Sequence, residues 1–74
     1  MSVANDKKTV IEIASKIKEA RLSKNLRQID VAKKAGLNAN SYAKIERGKQ
    51  KPSAVTLTKI LKALEIKSSE ILSV

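Results

Sequence analysis

The 74 residues contain no cysteine, histidine, tryptophan or phenylalanine, and only one tyrosine, one proline and two glycines. Without cysteine there is no disulfide to staple a small core and no thiolate metal site, which fits a reducing cytoplasm. Without histidine a metal enzyme is left with carboxylates alone, and a serine hydrolase lacks its usual base. The chain is therefore read as a non-enzyme with no cofactor and no metal. A single aromatic residue gives no platform on which single-stranded bases could stack. No apolar run approaches the roughly 20 residues needed to cross a bilayer. Lys7 and Lys8 are followed by no long apolar stretch, so no secretory signal is expected and the reading is a cytoplasmic protein.

Positive charge is what the chain has in excess. Lysine and arginine number 16 against 7 acids, a net charge of +9. A field of that sign on so small a body attracts phosphates, in nucleic acid or on a lipid surface. The length allows one domain, which buries only about 60% of the surface of its unfolded chain.

Residues 1–8, MSVANDKK, are polar and aperiodic and read as a flexible N-terminal arm, leaving 9–74 as the domain. Thr9 and Glu12 have capping-box spacing and predict a helix from Val10 to about Ser23. Ile13, Ile17 and Ala20 fall on one face of it, with Ala14 and Arg21 beside them and Lys16, Lys18 and Lys24 elsewhere. Asn25, tolerant of left-handed backbone, ends that helix. A second helix runs from Arg27 or Gln28 to Ala35, with Val31, Ala32 and Ala35 as its buried stripe and Gly36 as its stop. Asn38 caps a third, Ala39 to Arg47, whose inward residues are Tyr42 and Ile45. After Gly48 and Pro52, Ser53 caps a fourth, Ala54 to Leu64, carrying Leu57, Ile60, Leu61 and Leu64. Ser68 or Ser69 caps a last short helix containing Ile71 and Leu72. No alternating β-branched run argues for a strand. The expected fold is an all-α, compact five-helix bundle.

Gln28 to Gly48 is the informative stretch: two short helices joined by Gly36-Leu37-Asn38, with small Ala32 where they should cross. Here the sequence resembles the phage repressor and Cro family of helix-turn-helix regulators. The matching residues are Ile17-Lys18-Glu19-Ala20-Arg21, Gln28, Val31-Ala32, Gly36-Leu37, Ile45-Glu46-Arg47-Gly48, Lys51-Pro52-Ser53, Leu57-Thr58-Lys59-Ile60, Ala63-Leu64-Glu65-Ile66 and Glu70-Ile71-Leu72. The resemblance implies a lambda repressor-like DNA-binding domain. It implies a sequence-specific regulator of transcription on double-stranded DNA. One recognition helix reads only a few base pairs, so a homodimeric repressor on a palindromic operator is expected. Short proteins of this look, prokaryotic or phage, include phage and plasmid repressors, restriction-modification controllers and antitoxins.

The third helix is then expected in the major groove, where base edges carry a distinguishable pattern of donors and acceptors. Ala39, Asn40, Ala43 and Lys44 are its outward residues: Asn40 for adenine, Lys44 for guanine, the alanines for thymine methyls. Phosphate contacts are expected from Arg27, Gln28, Asn38, Ser41, Arg47, Lys49 and Lys51; residues 37–51 carry four positive charges against Glu46 alone. The resemblance gives Gln28 a second task, propping the third helix, and pairs Arg21 with Glu46 in a partly buried salt bridge. A dimer surface is expected after Pro52, from Val55, Ile66, Ile71, Leu72 and Val74.

Three residues depart from the family pattern. Arg27 stands where Thr or Ser usually caps the second helix. Tyr42 replaces an aliphatic residue and brings a hydroxyl that needs a partner. Glu65 stands where Gly often ends the fourth helix, which predicts a different ending there. Competing readings are non-specific binding to nucleic acid or to an anionic membrane, and a pure protein-binding module. The membrane reading wants a basic face opposite bulky apolar residues, and no segment has one.

Overall fold

The computed structural model describes residues 6–66. They form four helices: α1 Asp6–Ser23, α2 Gln28–Ala35, α3 Ala39–Glu46 and α4 Ala54–Leu64. No strand occurs among the described residues. The fold is thus all-α with a helix-turn-helix at its centre, and the described residues hold four helices rather than five. The expected last helix, capped at Ser68 or Ser69, lies outside them.

α1 begins earlier than the sequence suggested. Lys7, Lys8 and Thr9 are helical, so residues 6–8 are not a loose arm and the Thr9–Glu12 spacing does not mark an N-terminus. Once nucleated, a helix gains a hydrogen bond for each residue it adds, and nothing between Asp6 and Thr9 breaks it. Its buried line is Ala14, Ile17 and Arg21, with Ile13 and Ala20 half-buried beside it.

The core joins that line to Val31, Ala32 and Ala35 of α2, Tyr42 and Ile45 of α3, and Ile60, Ala63 and Leu64 of α4. α2 is central, packing on both α3 and α4, while α1 packs on α3. Two N-caps are as the sequence indicates: Asn38 accepts from the amides of Asn40 and Ser41, and Ser53 from that of Thr56. At α2, arginine has no acceptor to offer. Instead the Asp30 carboxylate accepts from the Arg27 amide at 2.8 Å and from its guanidinium at 3.0 and 3.1 Å. That hydrogen bonding holds the half-buried Asp30 carboxyl at about 2, below its ordinary 3.8.

All four helices end in the same way. Each terminal turn has a residue in the left-handed region: Asn25, Gly36, Gly48 and Glu65. The next amide reaches back five residues, Leu26 to Arg21, Leu37 to Ala32, Lys49 to Lys44 and Ile66 to Leu61. This is the Schellman arrangement, which satisfies carbonyls that the helix leaves open. Leu26, Leu37 and Ile66 then fold their side chains against the core. The different ending expected at Glu65 is therefore corrected: its φ is 57°, near the 69° of Gly36. The two amide bonds and the packing of Ile66 outweigh the strain, which for a residue with a Cβ is about 1–2 kcal/mol.

These two caps predict opposite substitution effects. A Cβ built on Gly36 meets nothing within 4 Å, so Gly36→Ala should cost only the backbone strain, about 1 kcal/mol. Glu65→Gly should relieve the same strain, less the entropy that glycine adds to the unfolded chain, a net gain of about 0.5–1 kcal/mol. Thermal unfolding should show a midpoint several degrees lower for the first and a few degrees higher for the second. A fall in midpoint for Glu65→Gly would contradict the strain argument.

Candidate nucleic-acid interface

α3 presents two unlike faces. Inward, Tyr42, Ile45 and Glu46 are all buried. Outward, Asn40 and Lys44 are exposed, and neither side chain makes a hydrogen bond or ion pair among the described residues. Of the two alanines expected beside them, Ala43 is half-buried and Ala39 packs partly against the core.

The inward face is held by one carboxylate. Glu46 is 5% exposed and accepts four hydrogen bonds, two on each oxygen. Arg21 of α1 approaches side-on, Nε to Oε2 at 2.7 Å and Nη2 to Oε1 at 2.8 Å. The Tyr42 hydroxyl donates to Oε2 at 2.7 Å and the Gln28 amide to Oε1 at 2.9 Å. Arg21 also donates from Nη1 to the carbonyl of Leu26 at 2.8 Å, which ties the α1–α2 connection to the same cluster. No buried side-chain polar atom among the described residues lacks a partner. Burial pushes the Glu46 carboxyl upward, but the hydrogen bonds from Arg21, Gln28 and Tyr42 outweigh it and hold it below its ordinary 4.5. The Tyr42 phenol moves the other way. Burial, reinforced by the bond to a carboxylate, raises it far above its ordinary 10.

The expected phosphate-binding residues surround this cluster unevenly. Gln28 is half-buried, its amide turned to Glu46. The Arg27 guanidinium is engaged by Asp30. Asn38 is exposed, with its oxygen committed to the cap, and Ser41 is half-buried. Arg47, Lys49 and Lys51 are exposed in and after the α3 cap. On α4, Val55 is 66% exposed, the most open large apolar residue among those described. Ile66 instead packs partly against the core. Ile71, Leu72 and Val74 lie outside the described residues.

Sequence reasoning missed the Asp30–Arg27 pair and the acceptor for Tyr42. The first had a signal, an acid three residues after a cap position. The second had one too, since Tyr42 and Glu46 are one turn apart on α3. Among the described residues no group of three acids is placed to hold a metal ion, and no helix is long and apolar enough to cross a membrane.

Two short helices at a three-residue turn, the first closed by a left-handed glycine and the second presenting an open polar face, define a helix-turn-helix protein. A family model described as helix-turn-helix matches residues 17–71, and the chain belongs to that family. It is similar to the cryptic phage CTXphi transcriptional repressor RstR of Vibrio cholerae, 33% identical over 60 residues that make up 81% of this chain and 54% of that one. The chain thus spans about half the length of that relative. Among solved structures it is similar to the restriction-modification controller protein C.AhdI from Aeromonas hydrophila. The TM-score is 0.82 and the identity 28%, covering 85% of this chain and 96% of the other. The wild-type controller protein C.Esp1396I gives a TM-score of 0.81 at 26% identity, covering 99% and 87%.

The pKa directions fix a pH dependence. A carboxyl held low in the folded state contributes stability that is complete above its unfolded value and lost as pH falls below about 4.5. A phenol held high contributes stability that is complete below about 10 and lost as pH rises past it. Asp30 adds to the acid limb, so the alkaline limb is the cleaner test. Tyr42→Phe should cost about 1.5–3 kcal/mol at neutral pH by removing a buried bond to a charged group. It should also flatten the decline above pH 10. Denaturant titrations at pH 7, 9 and 11 measure both, and an unchanged alkaline slope would show that Tyr42 is not what titrates.

Proposed function

We propose that this chain is a sequence-specific, double-stranded DNA-binding regulator of transcription that reads bases with the outward face of α3. The observation that carries the reading is the pair Asn40 and Lys44, one turn apart, exposed and without a partner among the described residues, on a helix whose opposite face is locked into the core. The Asn40 amide suits the N6 and N7 edge of adenine, and the Lys44 ammonium the O6 and N7 of guanine. Arg47, Lys49 and Lys51 bind flanking phosphates, which set register and orientation without reading sequence. The similar phage repressor and restriction-modification controllers support this assignment. No catalytic chemistry is assigned, and the working compartment is the cytoplasm.

The experiment compares a duplex selected from a random pool with a random duplex. Asn40→Ala and Lys44→Ala should each lower affinity for the selected duplex by about 1–3 kcal/mol and leave random binding alone. Lys49→Ala and Lys51→Ala should weaken both duplexes alike and reduce the slope of log affinity against log salt by about one each. Unchanged discrimination in both α3 variants would remove the base-reading assignment.

We further propose a homodimeric repressor on a palindromic operator. One helix of about two turns spans few base pairs, and so short a site recurs throughout any genome. Two copies related by a twofold axis read half-sites about 34 Å apart on one face of the duplex. Val55, exposed on α4, is the described residue that supports an interface after Pro52. Sedimentation at micromolar concentration should give a dimer that Val55→Asp shifts toward monomer. Half-sites bound as tightly as palindromes by a strictly monomeric chain would overturn the dimer.

A further inference from the structure

α1, the start of α2 and the end of α3 enclose a cleft of about 510 Å³, with Ser15, Lys18, Arg21, Gln28, Glu46 and Arg47 among its lining. Arg21 and Glu46 neutralise each other at its floor. That leaves two full positive charges on its walls, Lys18 from α1 and Arg47 from the α3 cap. Both are exposed, and among the described residues neither takes part in a hydrogen bond or ion pair. Ser15 lies one turn before Lys18 on the same wall and is likewise uncommitted. The sequence put Lys18 merely off the apolar face of α1 and gave it no part in binding.

We propose that this cleft seats a backbone phosphate of the duplex and that Lys18 is a DNA-binding residue, extending the footprint onto α1. The inference rests on the DNA-binding reading above and adds a site to it. Asn40 and Arg47 are seven residues apart, about 10 Å along the helix axis. The major groove is about 12 Å wide. An α3 reading bases near Asn40 therefore carries its far end to the groove rim, where the sugar-phosphate strand runs. Lys18 and Arg47 flank a phosphodiester there from two different helices, and the Ser15 hydroxyl is within the same recess to donate a third bond. Arg27, expected on phosphate from the sequence, is instead paired with Asp30 at 3.0 Å and does not line this cleft.

The test is the salt dependence of duplex binding by Lys18→Gln, Lys18→Arg and Lys62→Gln. Lys62 lies on α4 in a separate cleft and serves as the control for net charge. Lys18→Gln should lose about 0.9 from the slope of log affinity against log salt, equal on selected and random duplexes, with a five- to tenfold loss of affinity near 0.1 M salt. Lys18→Arg should keep the parent slope. An unchanged slope for Lys18→Gln while the parent still binds duplex would overturn the cleft and leave the α3 reading standing. An equal loss in Lys62→Gln would overturn it as well, by showing a general field effect. A parent chain that binds no duplex would remove both proposals at once.

Discussion

The structure depends on one buried carboxylate having all its lone pairs filled. Glu46 accepts from three elements, and each donor it uses fixes a different relation: Arg21 joins α1 to α3, Gln28 joins α2 to α3, and Tyr42 braces α3 internally. Stripping one partner from a buried ion pair leaves a bare charge, at a cost of about 3–5 kcal/mol. A domain this short has a total stability of roughly 4–11 kcal/mol. Losing one donor would therefore remove a large share of the domain's stability. The cluster also hides an acid. On the surface, Glu46 would repel the phosphates that a +9 chain attracts; inside, Arg21 cancels it.

The second constraint is where the helices stop. Three of the four Schellman turns place an apolar residue, Leu26, Leu37 or Ile66, against the core immediately after the left-handed position. Each turn thus ends a helix, satisfies its open carbonyls and adds a side chain to a core short of them. That economy explains why α4 keeps the motif at Glu65 although a side chain is strained there. Abandoning it would expose Ile66 and leave carbonyls without partners, and the sum of those losses exceeds the strain.

How much of this was legible follows from the range of each interaction. Gly36, Asn38 and Ser53 act within four residues of themselves, so spacing alone located the helix-turn-helix and two caps. The stripe Val31, Ala32 and Ala35 obeys helical periodicity and was equally plain. The beginning of α1 was misread because a permissive capping pattern at Thr9 is not a compulsory one. Long-range pairs were a different matter. Arg21 and Glu46 are 25 residues apart, and their pairing came from family resemblance, not from periodicity. The cleft containing Lys18 had no resemblance to announce it, and three helices must be assembled before it exists.

The rotational setting of α3 shows how its inward face alone fixes the helix. At about 100° per residue, and taking Tyr42 as zero, Ile45 and Glu46 point about 60° to one side and 40° to the other. Asn40 and Lys44 then point about 160° and 200° away, straddling the direction opposite the ring. A turn of the helix by one position would bring a lysine or an asparagine into the core and swing Glu46 from its donors. Both errors carry the cost of an unpaired buried polar group. The energy that excludes wrong rotations is thus spent entirely on the inward face. The outward face can change its side chains without disturbing what holds the helix in place.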